Sequence, residues 1–310
     1  MSARRPAASV TRVVRVCISL GLLVAVGWFL GLEQLAARLV RMDARWVGLA
    51  LGVSLVQVAV SAWRWRFTAG RLGIELPFGD ALREYYLAVF LNQVVPGGVV
   101  GDVSRAWRHA RLQTDDRPAG ASAVRAVILE RASGQVVMTG VAVLSLAMIP
   151  MMLGVAWWLA VVGAGAVAVG LWVATRRLGT SPGSWLRILW SDARRALLSR
   201  EAAPVQFATS GVVVGCYIGT YLISARAIGI QTPLLALVPL VAPVLVTMLV
   251  PVTVAGWGVR EGAAALLWGG VGLTAADGVA ISVAYGFLVL LSTLPGGVVL
   301  ALGPALRPSR

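Results

Sequence analysis

The chain has no lysine, one histidine and two cysteines, and only 13% of its 310 residues are charged. Each shortage excludes something. With His109 as the single histidine, most histidine-ligated metal sites and most Ser-His-Asp schemes are removed at once. Cys17 and Cys216 both lie in apolar runs, so neither a disulfide nor a metal site is indicated, and no cofactor is expected. Scarcity of charge, with 58% apolar residues and a mean hydropathy of +0.83, excludes an ordinary soluble domain.

Apolar sequence is what the chain has instead. Several windows of about 18 or more residues are nearly free of charge, long enough to cross ~30 Å of hydrocarbon. The reading is an all-α polytopic membrane protein. All 27 basic residues are arginine, which a GC-rich coding sequence explains without any special guanidinium chemistry. The net charge of +14 points to anionic membrane lipids as partners at the cytoplasmic face. Nucleic acid is not expected, because the arginines are spread over short loops between apolar spans. The basic segment before the first apolar run lacks a convincing small-residue cleavage site, so an uncleaved first helix is expected.

Six full spans are expected, near 13–30, 46–62, 123–149, 153–174, 204–224 and 278–300. Two further apolar regions, 81–101 and 234–273, are interrupted by Pro and Gly and read as re-entrant hairpins. The polar connection 175–203 pairs Trp185, Ile188 and Trp190 with Arg187, Arg194 and Arg195, the pattern of a helix lying on the membrane surface. With a cytoplasmic N-terminus and both broken regions re-entrant, twenty-one of the 27 arginines fall inside and four outside. Basic residues favour the cytoplasmic side, so this orientation, with the C-terminus also inside, is preferred.

The broken regions repeat each other. "PGGVVGDVSR" from Pro96 and "PVTVAGWGVR" from Pro251 both read Pro, four residues, Gly, three residues, Arg. In the preferred orientation they enter from opposite sides, as an inverted repeat would, with halves at about 46–174 and 204–300 of a single domain. Pro removes a backbone donor and Gly permits turns, so Pro96, Gly97, Gly98 and Gly101, and Pro251, Gly256 and Gly258, let a helix stop and restart. The helices restarting near Asp102 and Val259 would aim N–H groups and positive dipole ends at the break, a site for an anion. Arg105 and Arg260 stand in those first turns, where a guanidinium can pair with phosphate bidentately. Asp102 and Glu261 can hold or neutralise them, and Asn92, one turn before the first break, can cap freed backbone groups. Glu130 and Arg131 sit one to two turns inside the third full span, either facing a cavity, where they line a headgroup path or join Asp102 and Arg105, or snorkelling to the cytoplasmic surface. The opposing reading is packing: Gly and Pro are frequent in membrane helices, and each charged pair can be purely structural.

"FLNQVVPGGVVGDVSRAW", "ILERASG" and "VPVTVAGWGVREGAAALL" resemble the signatures of the lysylphosphatidylglycerol synthase transmembrane-domain family, flippase-like membrane proteins, over nearly the whole chain. The resemblance implies a bacterial inner-membrane protein related to the part of the multiple peptide resistance factor that moves an aminoacylated lipid between leaflets. Archaeal relatives are linked to dolichol-phosphate sugar pathways. It implies importance for Asn92, Arg105, Glu130, Arg131, Arg260 and Glu261, and a partner enzyme that modifies the same lipid or transfers a sugar to it. With 310 residues there is no room for the fused aminoacyl-transferase domain, so the chain is not expected to make lysylphosphatidylglycerol. Where many relatives have Gly-Gly-Leu-Gly, this chain has Ala255 to Gly258, and Trp257 would narrow the site or stack on a headgroup. The expected function is translocation of a phosphate-bearing lipid rather than catalysis. Transport of a small soluble anion is the alternative, and a membrane-embedded lipid-modifying transferase the third.

Overall fold

A computed structural model of the chain describes residues 32–95, 98–112, 117–152, 185–249, 253 and 255–303. Every regular element among them is helical: α1 Leu32–Val40, α2 Ala44–Arg71, α3 Phe78–Val94, α4 Val100–Leu112, α5 Arg117–Met152, α6 Trp185–Ala196, α7 Ala202–Ala227, α8 Leu234–Val246, α9 Val259–Gly270 and α10 Ala275–Leu302. Four helices are long and apolar enough to cross a membrane: Ala44–Arg71, Gly120–Ile149, Ala202–Ala227 and Ala275–Leu302. They correspond to four of the six expected spans. The other two, 13–30 and 153–174, lie outside the described residues, as do Pro96, Gly97 and Pro251.

Local chemistry sets the helix ends. Asp43 Oδ1 accepts the Arg45 N–H at 2.8 Å and starts α2. α2 stops at Gly73, whose φ of +79° suits glycine, with Ile74 N–H donating to Ala69 O and Gly73 N–H to Gly70 O, both at 3.0 Å. α7 stops the same way at Gly229, with Ile230 N–H on Ala225 O and Gly229 N–H on Arg226 O. In each case the paired bonds satisfy carbonyls at the helix end. After each stop comes Gly-Ile, two residues and Pro, namely Gly73 to Pro77 and Gly229 to Pro233, and the proline opens the next helix. This second repeated motif is legible in the sequence itself.

The ends also fix direction. Asp43 N–H donates to Ala227 O at 3.0 Å, joining the start of α2 to the end of α7. At the opposite end, Arg71 reaches Ser199 and Glu201, each at 2.9 Å, just before α7 begins. α2 and α7 therefore run antiparallel, and they pack along their lengths. α3 and α4 leave and return to the end where α2 finishes. α8 and α9 leave and return to the other end, where Arg38 holds Asp277 of α10 at 2.8 Å. Packing pairs α3 with α10 and α5 with α8, while α4 lies on α5 and α9 on α10.

Two apolar cores result. One joins α2, α3, α4 and the start of α5 around Trp65 and Tyr85, and the other joins α7 to α10 and Met138 of α5 around Tyr221, Trp268 and Tyr285. α6 is amphipathic, with Trp185, Ile188 and Trp190 exposed and Ala193 and Ala196 packed near Leu129. The Arg125–Asp192 pair at 2.5 Å fastens it to α5.

One expectation needs correction here. Arg64 and Arg105, counted among the cytoplasmic arginines, are buried in the protein, with only 3% and 0% of each exposed. Neither contributes to charge sorting between loops.

Candidate functional site

Across the first break, Val95 is extended, Gly98 has φ +63° and α4 restarts at Val100. Asn92 bridges the gap. Its Oδ1 accepts the Gly101 N–H at 2.8 Å, and its Nδ2 donates to Asp102 Oδ2 at 2.9 Å. Gly101 is required by proximity, since a Cβ there would sit 1.9 Å from the Ala88 carbonyl oxygen. Asn92 thus supplies, at the start of α4, partners that water cannot supply in hydrocarbon.

Behind the break lies a network of three guanidiniums and two carboxylates. Arg105 donates to Glu130 at 2.7 Å and to Asp102 at 3.0 Å, and its guanidinium lies 4.7 Å from the Trp65 ring centre and 4.6 Å from that of Tyr85. Glu130 also accepts from Arg64 at 2.7 Å and from the Tyr85 hydroxyl at 3.3 Å. Arg64 continues to Ser210 of α7 at 2.9 Å, tying the two antiparallel helices together. Arg131 pairs with Asp102 at 2.6 Å, its side chain is 29% exposed, and its Nε has no hydrogen-bond partner among the described residues. Of the two readings for Glu130 and Arg131, the structure has the one that joins them to Asp102 and Arg105. The network carries one positive charge in excess of its carboxylates. His109 is buried with its ring edge-on to Trp65, at 5.3 Å.

The second break is built differently. α8 runs into a single 3-10 turn, Thr247–Leu249, and Ala255, Gly256 and Gly258 then take φ of +49°, +78° and +89° before α9 begins. Glu261 Oε2 accepts the Gly258 N–H at 2.6 Å, capping α9. Its Oε1 accepts from Arg260 at 2.7 Å and from the Ser282 hydroxyl at 2.9 Å. Arg260 Nε also donates to Ser282 at 2.8 Å, and the guanidinium lies 4.9 Å from the Trp257 ring centre and 5.2 Å from that of Tyr285. Gly286 makes room for this stack, because a Cβ there would lie 2.4 Å from Arg260 and 2.6 Å from Trp257.

One cavity of about 780 Å³ touches both breaks. Asn92, Gly98, Asp102 and Arg131 line it on the first side, and Met248, Thr253, Ala255 and Gly256 on the second. Gly101, Arg105 and Glu130 stand behind the wall rather than on it. Arg260, Glu261, Trp257 and Gly258 are also off the wall, with the Arg260 and Glu261 charges answered by each other. Asp102 and Glu261 hold Arg105 and Arg260, one of the two roles expected of them, and neither arginine lines the cavity. Each is consumed by its own carboxylate and aromatic neighbours.

Sequence reasoning missed Arg64, Gln57 and Ser61, all cavity-lining. A signal existed. Ser54, Gln57, Ser61, Arg64 and Thr68 alternate spacings of three and four along otherwise apolar α2, and all five are buried. Such a stripe on a membrane helix marks a face turned to other helices or to a cavity.

The family model described as the lysylphosphatidylglycerol synthase TM region matches residues 12–296, and the chain belongs to that family. It is a multi-pass membrane protein. Comparison with curated proteins gives no match.

Proposed function

We propose that this member of the lysylphosphatidylglycerol synthase transmembrane family moves a phosphate-bearing lipid between leaflets of the bacterial inner membrane, with the headgroup in the cavity and the chains outside. The observation that carries this reading is the mixed character of the cavity wall. Val103 and Trp107 of α4 line the cavity and yet are 63% and 53% exposed, with Ile128 of α5 beside them. The polar side chains of the cavity, Gln57, Asn92, Asp102 and Arg131 among them, are thus flanked by an apolar groove between α4 and α5. A molecule with one charged end and long apolar tails matches that combination, whereas a small soluble anion has no use for the groove.

Arg131 is the headgroup ligand in this reading. It lines the cavity with 29% of its side chain exposed, and it belongs to a network one positive charge in excess. A phosphodiester would neutralise that excess through a charge-assisted hydrogen bond. Arg105 and Glu130 position Asp102 and Arg131 from behind, Arg64 holds Glu130 from the cavity wall, and Arg260 with Glu261 holds the second break in shape.

The two broken helix pairs form an inverted repeat, α2 to α5 and α7 to α10, which rock against each other during transport. Matching element order, the paired Gly-Ile-x-x-Pro turns and the antiparallel run of α2 and α7 support this. The end bearing Arg71, Arg125 and α6 faces the cytoplasm, with both termini on that side, by the preference of arginine for that face. Anionic lipids around α6 and an enzyme acting on the same lipid are the expected partners.

The test uses proteoliposomes carrying fluorescent phosphatidylglycerol, with dithionite quenching to read transfer between leaflets. Arg131→Gln should lower the rate at least tenfold while the protein inserts and elutes as wild type does. Wild-type rates in that variant would remove Arg131 from the mechanism. Transport of soluble phosphate with no lipid transfer would favour the solute reading.

A further inference from the structure

The end of the molecule where α2 begins has few arginines, and they are not scattered. Of Arg38, Arg41, Arg45 and Arg226, three line one cleft of about 390 Å³ where α1 meets the start of α2 and the end of α7. Charge sorting works against basic residues at this end if the opposite, arginine-rich end faces the cytoplasm, so their collection in one place calls for a physical reason.

The cleft is held in shape by contacts that leave one donor group free. Arg38 is fixed by Asp277 at 2.8 Å. Arg226 curls over the Gly229 turn and donates to the Ile230 and Thr232 carbonyls. Asp43 is committed as the cap of α2, and its own N–H ties α1 and α2 to α7 through Ala227 O at 3.0 Å. The Arg41 side chain is exposed and makes no hydrogen bond or ion pair among the described residues, its backbone N–H alone bonding to Ala37 O. Three guanidiniums therefore face the carboxylates of Asp43 and, behind Arg38, Asp277, leaving one positive charge unanswered. Trp46 adds an aromatic wall of the type that settles at a membrane–water boundary. No residue lines both this cleft and the central cavity.

We propose that this cleft is a second anion site, separate from the transport cavity, that takes a phosphate group through Arg41 with Arg38 and Arg226 as supporting charge. The phosphate can belong to a lipid headgroup in the adjacent leaflet or be free in solution, and the chemistry of recognition is shared.

Binding to the purified full chain in detergent separates the cases, with dioctanoyl phosphatidylglycerol and inorganic phosphate as probes. Arg41→Gln should weaken one binding step about tenfold or more, the scale of one charge-assisted contact. Arg41→Lys should restore part of it, and Arg131→Gln should leave that step unchanged. Loss confined to phosphatidylglycerol assigns the site to lipid; loss confined to inorganic phosphate assigns it to the soluble anion. Unchanged binding of both probes in Arg41→Gln overturns the proposal. The transport reading stands or falls separately, on Arg131→Gln.

Discussion

Glu130→Gln is the sharpest test of how the charged network is built. Glu130 is fully buried and accepts from Arg64 and Arg105 at 2.7 Å each, and those arginines are themselves 3% and 0% exposed. The amide keeps the shape but loses the charge, and its NH₂ group would face guanidinium donors. The amide oxygen can still accept from one of the two arginines, but the other is left with only Ser210, if Arg64, or Asp102, if Arg105. Breaking one side of a buried ion pair costs about 3–5 kcal/mol, because the remaining charge is left uncompensated. The network also has Arg131 on Asp102, so Asp102 must serve two arginines with no carboxylate behind them. The expected loss is therefore about 4 kcal/mol, read from reversible unfolding of the protein in bicelles. Arg64→Gln combined with Glu130→Gln should cost less than the sum of the two single changes, with a coupling of about 1–3 kcal/mol. Full additivity, or a Glu130→Gln variant as stable as wild type, would refute the claim that these charges stabilise one another.

Other outcomes follow from close approaches and from polarity. Gly101→Ala places a methyl 1.9 Å from Ala88 O, a clash with backbone that cannot relax by a rotamer change. It should reduce the yield of monodisperse protein in detergent, seen by size-exclusion chromatography, whereas Gly140→Ala, with open space around it, should not. Gly286→Ala should displace Trp257 from Arg260 and change the tryptophan emission spectrum, while leaving phosphatidylglycerol binding at Arg131 within about twofold. In a background without the native cysteines, single cysteines replacing Arg45 and Arg111 should react with impermeant maleimide from opposite sides of the membrane. Labelling from one side would contradict the placement of the start of α2 and the end of α4 at opposite ends of the molecule.

Membrane character, helix class and the two breaks were all legible along the chain, because each depends on neighbours in sequence. Hydropathy over about 18 residues sets a span, and Pro with Gly interrupts a helix wherever it stands. Asn92 capping α4, and the pairing of Asp102 with Arg105 and of Glu261 with Arg260, were also within reach, since at most ten residues separate the partners. The Gly-Ile-x-x-Pro turns at Gly73 and Gly229 were equally local and simply went unread.

Tertiary structure decided which charges are free. Arg64 meets Glu130 across 66 positions and Ser210 across 146, and no spacing rule links them. Glu130 also takes Arg105, 25 positions away, and so withdraws it from phosphate binding, while Arg131 is left on the cavity wall. Ser282 and the Tyr285 ring reach Arg260 only after α10 packs on α9. The physical reason is the low dielectric of the interior. Every buried charge there must find a counterion, wherever in the chain that counterion lies, so availability for a ligand is a property of the folded network rather than of the motif.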